Sequence, residues 1–525
     1  MTLTGTLLIG QRDATASKHF RAVNPATGLE MEPPFACATP ADVEAACSLA
    51  AEAFDAYRSL PFEKRAIFLE TIATCLLEDK DVIVARAHLE TALPLGRLQG
   101  EMGRTVGQLR LFADLVRRGQ WSQPCIDPAL PDRTPMPRAD LRQRRIGVGP
   151  VAVFGASNFP LAFSAAGGDT VSALAAGCPV VCRAHPAHPG TGELVGRAIR
   201  RAATTCGMPE GVFSLLGGDA HEIGAWLVQH PAIMSVGFTG SYAGGVAISR
   251  LAAQRSVPIP VFAEMGSINP VYLYPLALVS RTEALVKGFV DSLTMGSGQF
   301  CTNPGLIIAL EGKDFDAFVS LAAQALGERS ASTMLTPGIH AAYDRGVAQL
   351  EQCPGVTLVA QGLEPVSVNQ GRPTLFRTTA ADFMQSPEMR HEVFGSAALL
   401  VSCTDFEEMR ALTESLEGQL TITVQMDADD TDLVRRLLPI YERKAGRILV
   451  NAWPTGVEVC HAMVHGGPFP ATTDTRTTSV GTAAIERFLR PVCYQDLPDS
   501  LLPPELSYEN PLNLSRLVDG KMQPE

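Results

Sequence analysis

The sequence predicts an α/β protein: a Rossmann-like parallel-sheet domain, a second α/β domain and a small β arm. Three observations carry that reading. From Gly149 onward the short apolar runs PVAVFG, PVVCRA, VFSLLGG, IMSVGFTG and PVFAEMG are separated by helical stretches, the texture of parallel strands with helices on both faces. Beyond Gly266 the alternation resumes with a helix around Arg281–Met295, the strand GLIIAL and a helix around Phe315–Leu326. Before both, Pro124, Pro128, Pro131, Pro135 and Pro137 break up residues 122–148, where ADLRQRRIGV then alternates like an exposed strand.

A chain of 525 residues is too long for one core, and 46% hydrophobic with 19% charged residues describes well-packed globular domains. The net charge of −12 and the lack of any Lys/Arg-rich run exclude a nucleic-acid partner. The 12 cysteines form neither a CxxC pair nor a His/Cys cluster of metal-site spacing, so free thiols in a reducing cytoplasm, and no metal, are expected. The N-terminal apolar stretch is too short for a signal sequence, and no segment approaches membrane-spanning length, which predicts a soluble, cytoplasmic protein without a membrane partner.

In chain order, a hairpin-like segment ends in the turn Asn24-Pro25-Ala26-Thr27-Gly28. Thr39-Pro40 then opens a helix as N-cap and first residue, with Val43, Cys47, Ala50 and Phe54 on one face, and Pro61 stops it. Residues Glu63 to about Gln120 stay amphipathic, interrupted at Pro94; Arg97, Glu101, Arg104 and Arg110 read as a solvated or interface face of this layer. The expected boundaries are therefore 1–121 for a helical layer of the cofactor-binding domain, 122–148 for the arm and 149–265 for the Rossmann-like domain. The second domain spans 266–470, with Ser330 to Asp382 loop-rich, and 471–525 is a C-terminal segment carrying the strand FLRPVCYQD.

Two constellations carry chemistry. Glu264 closes a buried-looking strand, and Cys301 sits in the loop GSGQFCT, which Gly296, Gly298 and Pro304 specify. A thiol is a soft nucleophile, and a carboxylate in reach can take a proton from water. In the second constellation, GFTGS brings Gly240 and Ser241 into a helix start that reaches Gly245, a glycine turn whose open N–H groups suit a diphosphate. The GxGxxG fingerprint is absent after the first strand, where the chain reads GASNFP.

The runs FAEMGSINP and GQFCTNPG resemble the glutamate and cysteine signatures of the aldehyde dehydrogenase superfamily, and further landmarks follow in order over nearly the whole chain. The resemblance implies oxidation of an aldehyde through a thiohemiacetal and a thioester on Cys301, with Glu264 as the base that frees the acid. It makes Asn158 the oxyanion donor, together with the Cys301 backbone N–H. Phe159, Phe163 and His465, with His461 and Cys460 nearby, would line the aldehyde entrance. In Glu392-Val393-Phe394, Glu392 would hold the nicotinamide ribose and Phe394 border the ring. The arm at 122–148 and the C-terminal strand would pair with another subunit of a homodimer or homotetramer.

Within that superfamily, GASNFPLAFSAAGGDTVSALAAG, RAHPAHPGT and PTGVEVCHAMVHGGPFPAT most resemble the 2,5-dioxopentanoate (α-ketoglutarate semialdehyde) dehydrogenase branch. Bacterial fatty aldehyde dehydrogenases share much of the pattern, so a long-chain aldehyde is the alternative substrate. Glu264 counts against a CoA-acylating relative, which needs no deacylating base. Joint retention of Cys301, Glu264 and Asn158 counts against a non-catalytic binding protein. A dicarboxylic-type substrate needs a cationic anchor, and the sequence singles out no arginine for it. For the cofactor, the family's KPSE-like run reads Arg183-Ala184-His185-Pro186: Pro186 replaces the acid that repels a 2′-phosphate, and Arg183 keeps a cation. With His221 as a second donor, NADP is expected to be accepted and preferred over NAD.

Overall fold

The computed structural model describes residues 2–523. The N-terminal segment is two hairpins, β1 (Leu7–Ile9) with β2 (Arg12–Ala14) and β3 (His19–Asn24) with β4 (Leu29–Ala36). The turn Asn24–Gly28 is the tip of the second hairpin rather than the end of the strand region, closed by Gly28 N–H on the Asn24 carbonyl at 2.8 Å. Four helices follow: α1 (Pro40–Arg58), α2 (Phe62–Glu78), α3 (Lys80–Thr91) and α4 (Leu95–Arg118). Thr39 caps α1 in a reciprocal capping box with Asp42. The arm region contributes β5 (Cys125–Asp127) and β6 (Leu141–Gly147).

The five apolar runs become β7 (Val151–Phe154), β8 (Val180–Arg183), β9 (Phe213–Leu216), β10 (Ser235–Thr239) and β11 (Val261–Glu264). Helices α5 (Gly168–Ala175), α6 (Pro189–Thr205), α7 (His221–Gln229) and α8 (Tyr242–Ala253) connect them. These strands are mutually parallel in the order β9-β8-β7-β10-β11, and β1 extends the sheet antiparallel beyond β9. Side chains alternate as a doubly covered sheet requires: Val151 and Val153 join the core under α2 and α6, Ala152 and Phe154 the core under α1 and α7. The strand order reverses between β7 and β10, so the loops leaving their carboxyl ends splay apart and open a crevice.

Five residues separate β11 from the second sheet, which starts with β12 (Pro270–Leu273), and α9 (Pro275–Thr294), β13 (Leu306–Leu310) and α10 (Lys313–Gly327) follow. Next come β14 (Ser332–Thr333), α11 (Pro337–Gln352), β15 (Thr357–Gln361), β16 (Gln370–Gly371) and β17 (Thr374–Thr379), and then β18 (Ala397–Cys403), β19 (Gln419–Gln425) and β20 (Ala445–Val450). Its order is β15-β17-β18-β13-β12-β19-β20, parallel except for β15. The region from Ser330 to Asp382 is thus not loop-rich. The Thr336 side chain caps α11 on the Ile339 N–H at 3.0 Å, and the helix buries only Tyr343 and Leu350, too thin a stripe to show as periodicity.

A third sheet, β21 (Leu489–Gln495), β6, β5, β22 (Arg516–Val518) and β23 (Lys521–Gln523), unites the arm with the C-terminus of the same chain. Before reaching it, residues 471–473 run along the free edge of β11: Met265 N–H donates to the Ala471 carbonyl at 2.8 Å, and Thr473 N–H to that of Ala263 at 3.1 Å. No helix among the described residues is long and apolar enough to cross a membrane.

The start of α6, beneath the crevice, is held by a buried carboxylate. Glu90, 0% exposed, accepts the N–H groups of Gly190 and Thr191 at 2.8 and 2.9 Å, the Thr191 hydroxyl at 2.7 Å and Arg86 Nε at 2.9 Å. Replacing Glu90 with alanine strands the Arg86 charge and those donors, so stability is expected to fall by about 3 kcal/mol. Urea unfolding followed by far-ultraviolet circular dichroism measures it, and an unchanged midpoint contradicts this role.

Candidate active site

The two large sheets meet end to end, the carboxyl edge of the first facing the amino edge of the second. Asn158 and Phe159 lie in the loop after β7, Arg183 ends β8, Gly240 follows β10 and Glu264 ends β11. Asn269, Cys301 and Glu392 all precede strands of the second sheet.

The loop before Cys301 is fixed by left-handed backbone at Gly296, Ser297 and Gly298, with φ of 54°, 60° and 68°. Gly298 is required twice over, because a Cβ there would stand 2.3 Å from the Gly395 carbonyl carbon. The Asn269 side-chain amide donates to the carbonyls of Cys301 and Asn303 at 2.8 and 2.9 Å, clamping the far side of the loop.

Glu264 is 3% exposed, and a buried carboxylate must be paired. His465 Nε2 stands 2.8 Å from its Oε1, and the Ser479 hydroxyl donates to Oε2. The same His465 nitrogen is 3.4 Å from Cys301 Sγ. Burial pushes the Glu264 carboxyl up, but the His465 charge and hydrogen bonds from His465, Ser479 and Cys301 outweigh it and hold the group below the usual carboxylate range. Burial, then the Glu264 charge and hydrogen bond, raise the Cys301 thiol well above its ordinary range, with Arg104 opposing. Donor atoms of Glu264, Cys301 and His465 lie within 4.8 Å of one another. The fold therefore assembles a mixed thiol, imidazole and carboxylate group that no sequence spacing suggested.

Asn158, 7% exposed, donates Nδ2 to the Gln299 carbonyl at 3.0 Å, which leaves its second amide hydrogen free beside the Cys301 loop. The Cys301 backbone N–H makes no hydrogen bond among the described residues. An amide hydrogen and a backbone N–H are thus available near one thiol, the donors an alkoxide needs. Phe300, Phe159 and Phe163 stack edge to face in a row, with centroids 5.6 and 5.3 Å apart, and Phe163 continues to His465 at 6.4 Å.

Two expectations change. His465 does not stand at an entrance: it is 1% exposed and wedged between Cys301 and Glu264, positioned by its N–H on Thr478 Oγ1 at 2.8 Å, while His461 is exposed and Cys460 half-buried. Arg97, Glu101 and Arg104 are not a solvated face; only Arg110 is exposed. Their side of α4 packs on the loop after β7, where Arg97 Nη2 donates to the Asn158 carbonyl at 2.7 Å and Glu101 Oε1 accepts the Leu161 and Ala162 N–H groups. Sequence reading missed Asn269 and Ser479 altogether. Asn269 lies inside the quoted FAEMGSINP run, whereas Ser479 carries no local signal.

Around the crevice, Ser241 caps α8 through Gly244 N–H at 3.2 Å, leaving the first-turn N–H groups outward. A Cβ on Gly245 would meet Met265 Sδ at 2.5 Å, so only glycine lets α8 approach β11 this closely. Arg183 donates Nη2 to the Ala220 carbonyl at 3.2 Å while its buried Nε has no partner; His221, next to Ala220, is exposed, and Pro186 is half-buried nearby. Glu392 lies over Gly266, and burial pushes its carboxyl up to about 8. With Phe394 it borders a cleft that also reaches Phe300 and Asn303.

The model of the Aldehyde dehydrogenase family matches residues 12–488. The chain is 58% identical over 525 residues to alpha-ketoglutaric semialdehyde dehydrogenase 2 of Azospirillum brasilense, covering 100% of both chains. It is 48% identical over 512 residues to alpha-ketoglutaric semialdehyde dehydrogenase of Acinetobacter baylyi, covering 97% of each. Among solved structures, methylmalonate-semialdehyde dehydrogenase from Oceanimonas doudoroffii is similar at a TM-score of 0.80 and 20% identity, over 95% of this chain and 99% of that one. Aldehyde dehydrogenase C from Pseudomonas syringae, a mutant solved with NAD+ and octanal, gives 0.79 and 21% identity, over 95% and 99%.

The raised Cys301 thiol has a measurable consequence. Alkylation of Cys301 by iodoacetamide in the cofactor-free protein, read by peptide mass spectrometry, is expected to climb only at alkaline pH, above the ordinary thiol range. Glu264→Gln removes the adjacent negative charge, so its profile shifts to lower pH. A wild-type profile that titrates near neutrality contradicts this electrostatic account.

Proposed function

The chain belongs to the aldehyde dehydrogenase family, and on that premise we propose that it oxidises 2,5-dioxopentanoate to 2-oxoglutarate with a nicotinamide dinucleotide. The observation that carries the substrate is the likeness along the entire chain to two relatives named for α-ketoglutaric semialdehyde.

Cys301 is the nucleophile. Its proton passes to the Glu264–His465 pair in contact with it, the C–S bond forms at the aldehyde carbon, and the carbonyl π pair moves onto oxygen. That alkoxide is held by the free Asn158 amide hydrogen and the Cys301 N–H. The dinucleotide, when bound, supplies the two-electron acceptor that turns this thiohemiacetal into a thioester. Glu264 then takes a proton from water as the water oxygen adds to the acyl carbon; the C–S bond breaks, the Cys301 thiolate takes back the proton it gave to the pair, and Glu264 releases its own to solvent. Because its carboxyl is held low, Glu264 is ionised at neutral pH and ready for that step.

The open start of α8 beside Gly240 and Ser241, with Gly245 letting the helix sit close, fits a diphosphate. Glu392 and Phe394 border the nicotinamide side. NADP is accepted and preferred over NAD: no acid stands at Pro186, and the orphaned Nε of Arg183 is free for a 2′-phosphate. Asp219, whose charge reaches Arg183, is itself 3.7 Å from Lys18. The protein works as a homodimer or homotetramer, with the β21 edge of the third sheet as the surface for a second copy.

The row Phe300, Phe159 and Phe163 favours a second reading, a long-chain aldehyde. A kcat/KM panel of 2,5-dioxopentanoate, succinate semialdehyde, glutaraldehyde and a long-chain aldehyde decides: 2,5-dioxopentanoate is expected to lead, and a long-chain lead above about tenfold, or roughly 1.4 kcal/mol, selects the second reading. Cys301→Ala abolishes turnover, and Glu264→Gln gives a burst of reduced cofactor without steady turnover; normal steady turnover in either removes that residue from the mechanism. Arg183→Ala is expected to lower kcat/KM for NADP more than for NAD. Equal losses with both, or a wild-type NAD preference above about tenfold, contradict the assignment of Arg183.

A further inference from the structure

Arg104 presents a half-buried cation with no anion to meet it. It lies on the same face of α4 as Arg97 and Glu101, one turn beyond Glu101, its guanidinium 5.2 Å from the Phe163 ring centre and 5.9 Å from that of Phe159. Its Nε and Nη2 are buried without a hydrogen-bond partner, and no salt bridge reaches it among the described residues. Such donors are expensive to leave unmade inside a protein, and they concentrate where a ligand completes them.

The neighbouring charges do not satisfy it. Glu101 gives Oε1 to the Leu161 and Ala162 N–H groups and forms no ion pair with Arg104. Arg447, the other arginine whose charge reaches Cys301, gives both terminal nitrogens to the Gly456 and Pro454 carbonyls at 3.0 and 2.8 Å and keeps only Nε unpaired, a single donor where Arg104 has two. Arg97 is bonded to Asn158 and turned toward Phe300 and Gly296. Arg104 also feels the charges of Cys301 and Glu264, and its guanidinium lies over Phe159 and Phe163, beside the aromatic row that flanks the thiol.

Nε and Nη2 are moreover the two donors on one side of the guanidinium, the pair that a carboxylate engages with both oxygens at once. We infer that Arg104 binds the carboxylate at the 2-oxo acid end of the substrate, through Nε and Nη2, while the aldehyde end lies at Cys301. The inference rests on the reading of the substrate as 2,5-dioxopentanoate. It makes Arg104 the residue that selects an ω-aldehyde of a 2-oxo acid over an uncharged aldehyde of the same length, with the phenylalanines serving as walls for the carbon chain between.

The test compares wild type, Arg104→Met and Arg104→Lys on 2,5-dioxopentanoate and on pentanal. The ratio of the two kcat/KM values is expected to fall about hundredfold in Arg104→Met, chiefly through KM, and less in Arg104→Lys, which keeps the charge but loses the paired donors. Calorimetric binding of 2-oxoglutarate to the same proteins, which needs no turnover, is expected to weaken by a similar factor. A ratio and an affinity in Arg104→Met within about threefold of wild type overturn the role of Arg104 while leaving the substrate standing. A wild type that itself prefers pentanal overturns the substrate and the anchor together. If Arg104→Met does not fold, full discrimination and full 2-oxoglutarate affinity in Arg104→Lys likewise overturn the paired contact.

Discussion

A carboxylate buried at the end of β11 obliges the chain to bring it partners, and much of the architecture around the thiol answers that demand. Glu264 accepts from Ser479 and pairs with His465, and these two are fixed in turn by the Ser479 N–H on the His465 carbonyl at 2.8 Å. Between these two, residues 471–473 run along β11. One desolvated charge thereby ties the first sheet, the second sheet and the C-terminal segment into one site.

Legibility in the sequence followed the range of the interaction. The five strands of the first sheet announced themselves because each is a short apolar run bounded by turn residues, and their parallel pairing follows from the helices between them. Cys301 and Glu264 stood out because glycines and a proline specify the thiol's loop locally. The structure brings both together with Asn158, which the family resemblance alone had singled out. Ser479, His465 and Arg104 were another matter. What each does depends on a contact far away in the chain, 215 residues for Ser479 on Glu264 and 164 for His465 on Cys301. The charged face of α4 misled for the same reason: Arg97 and Arg104 look solvated on a helical wheel, and only the fold lays phenylalanine rings over them.

The charges around the thiol are arranged unevenly. On one side Glu264 and Glu392 oppose a thiolate; on the other Arg104 favours it. Without ligand the sulfur is therefore held in its protonated, unreactive form, which protects a half-buried cysteine from stray oxidants. Such a site gains reactivity from what enters it rather than possessing it at rest.

The strip of chain lying along β11 carries one more consequence, for the order in which the molecule can be made. Glu264 leaves the ribosome 215 residues before Ser479, and at about 5–20 residues per second that interval lasts roughly 10–40 s. Throughout it β11 is an uncovered edge, open to pairing with another chain, and its carboxylate has no companion. The first sheet can collapse early but cannot finish. A ribosome that stops short of residue 479 releases a chain with its nucleophile in place and its proton acceptor unsupported, so the site is complete only once Ser479 has been made.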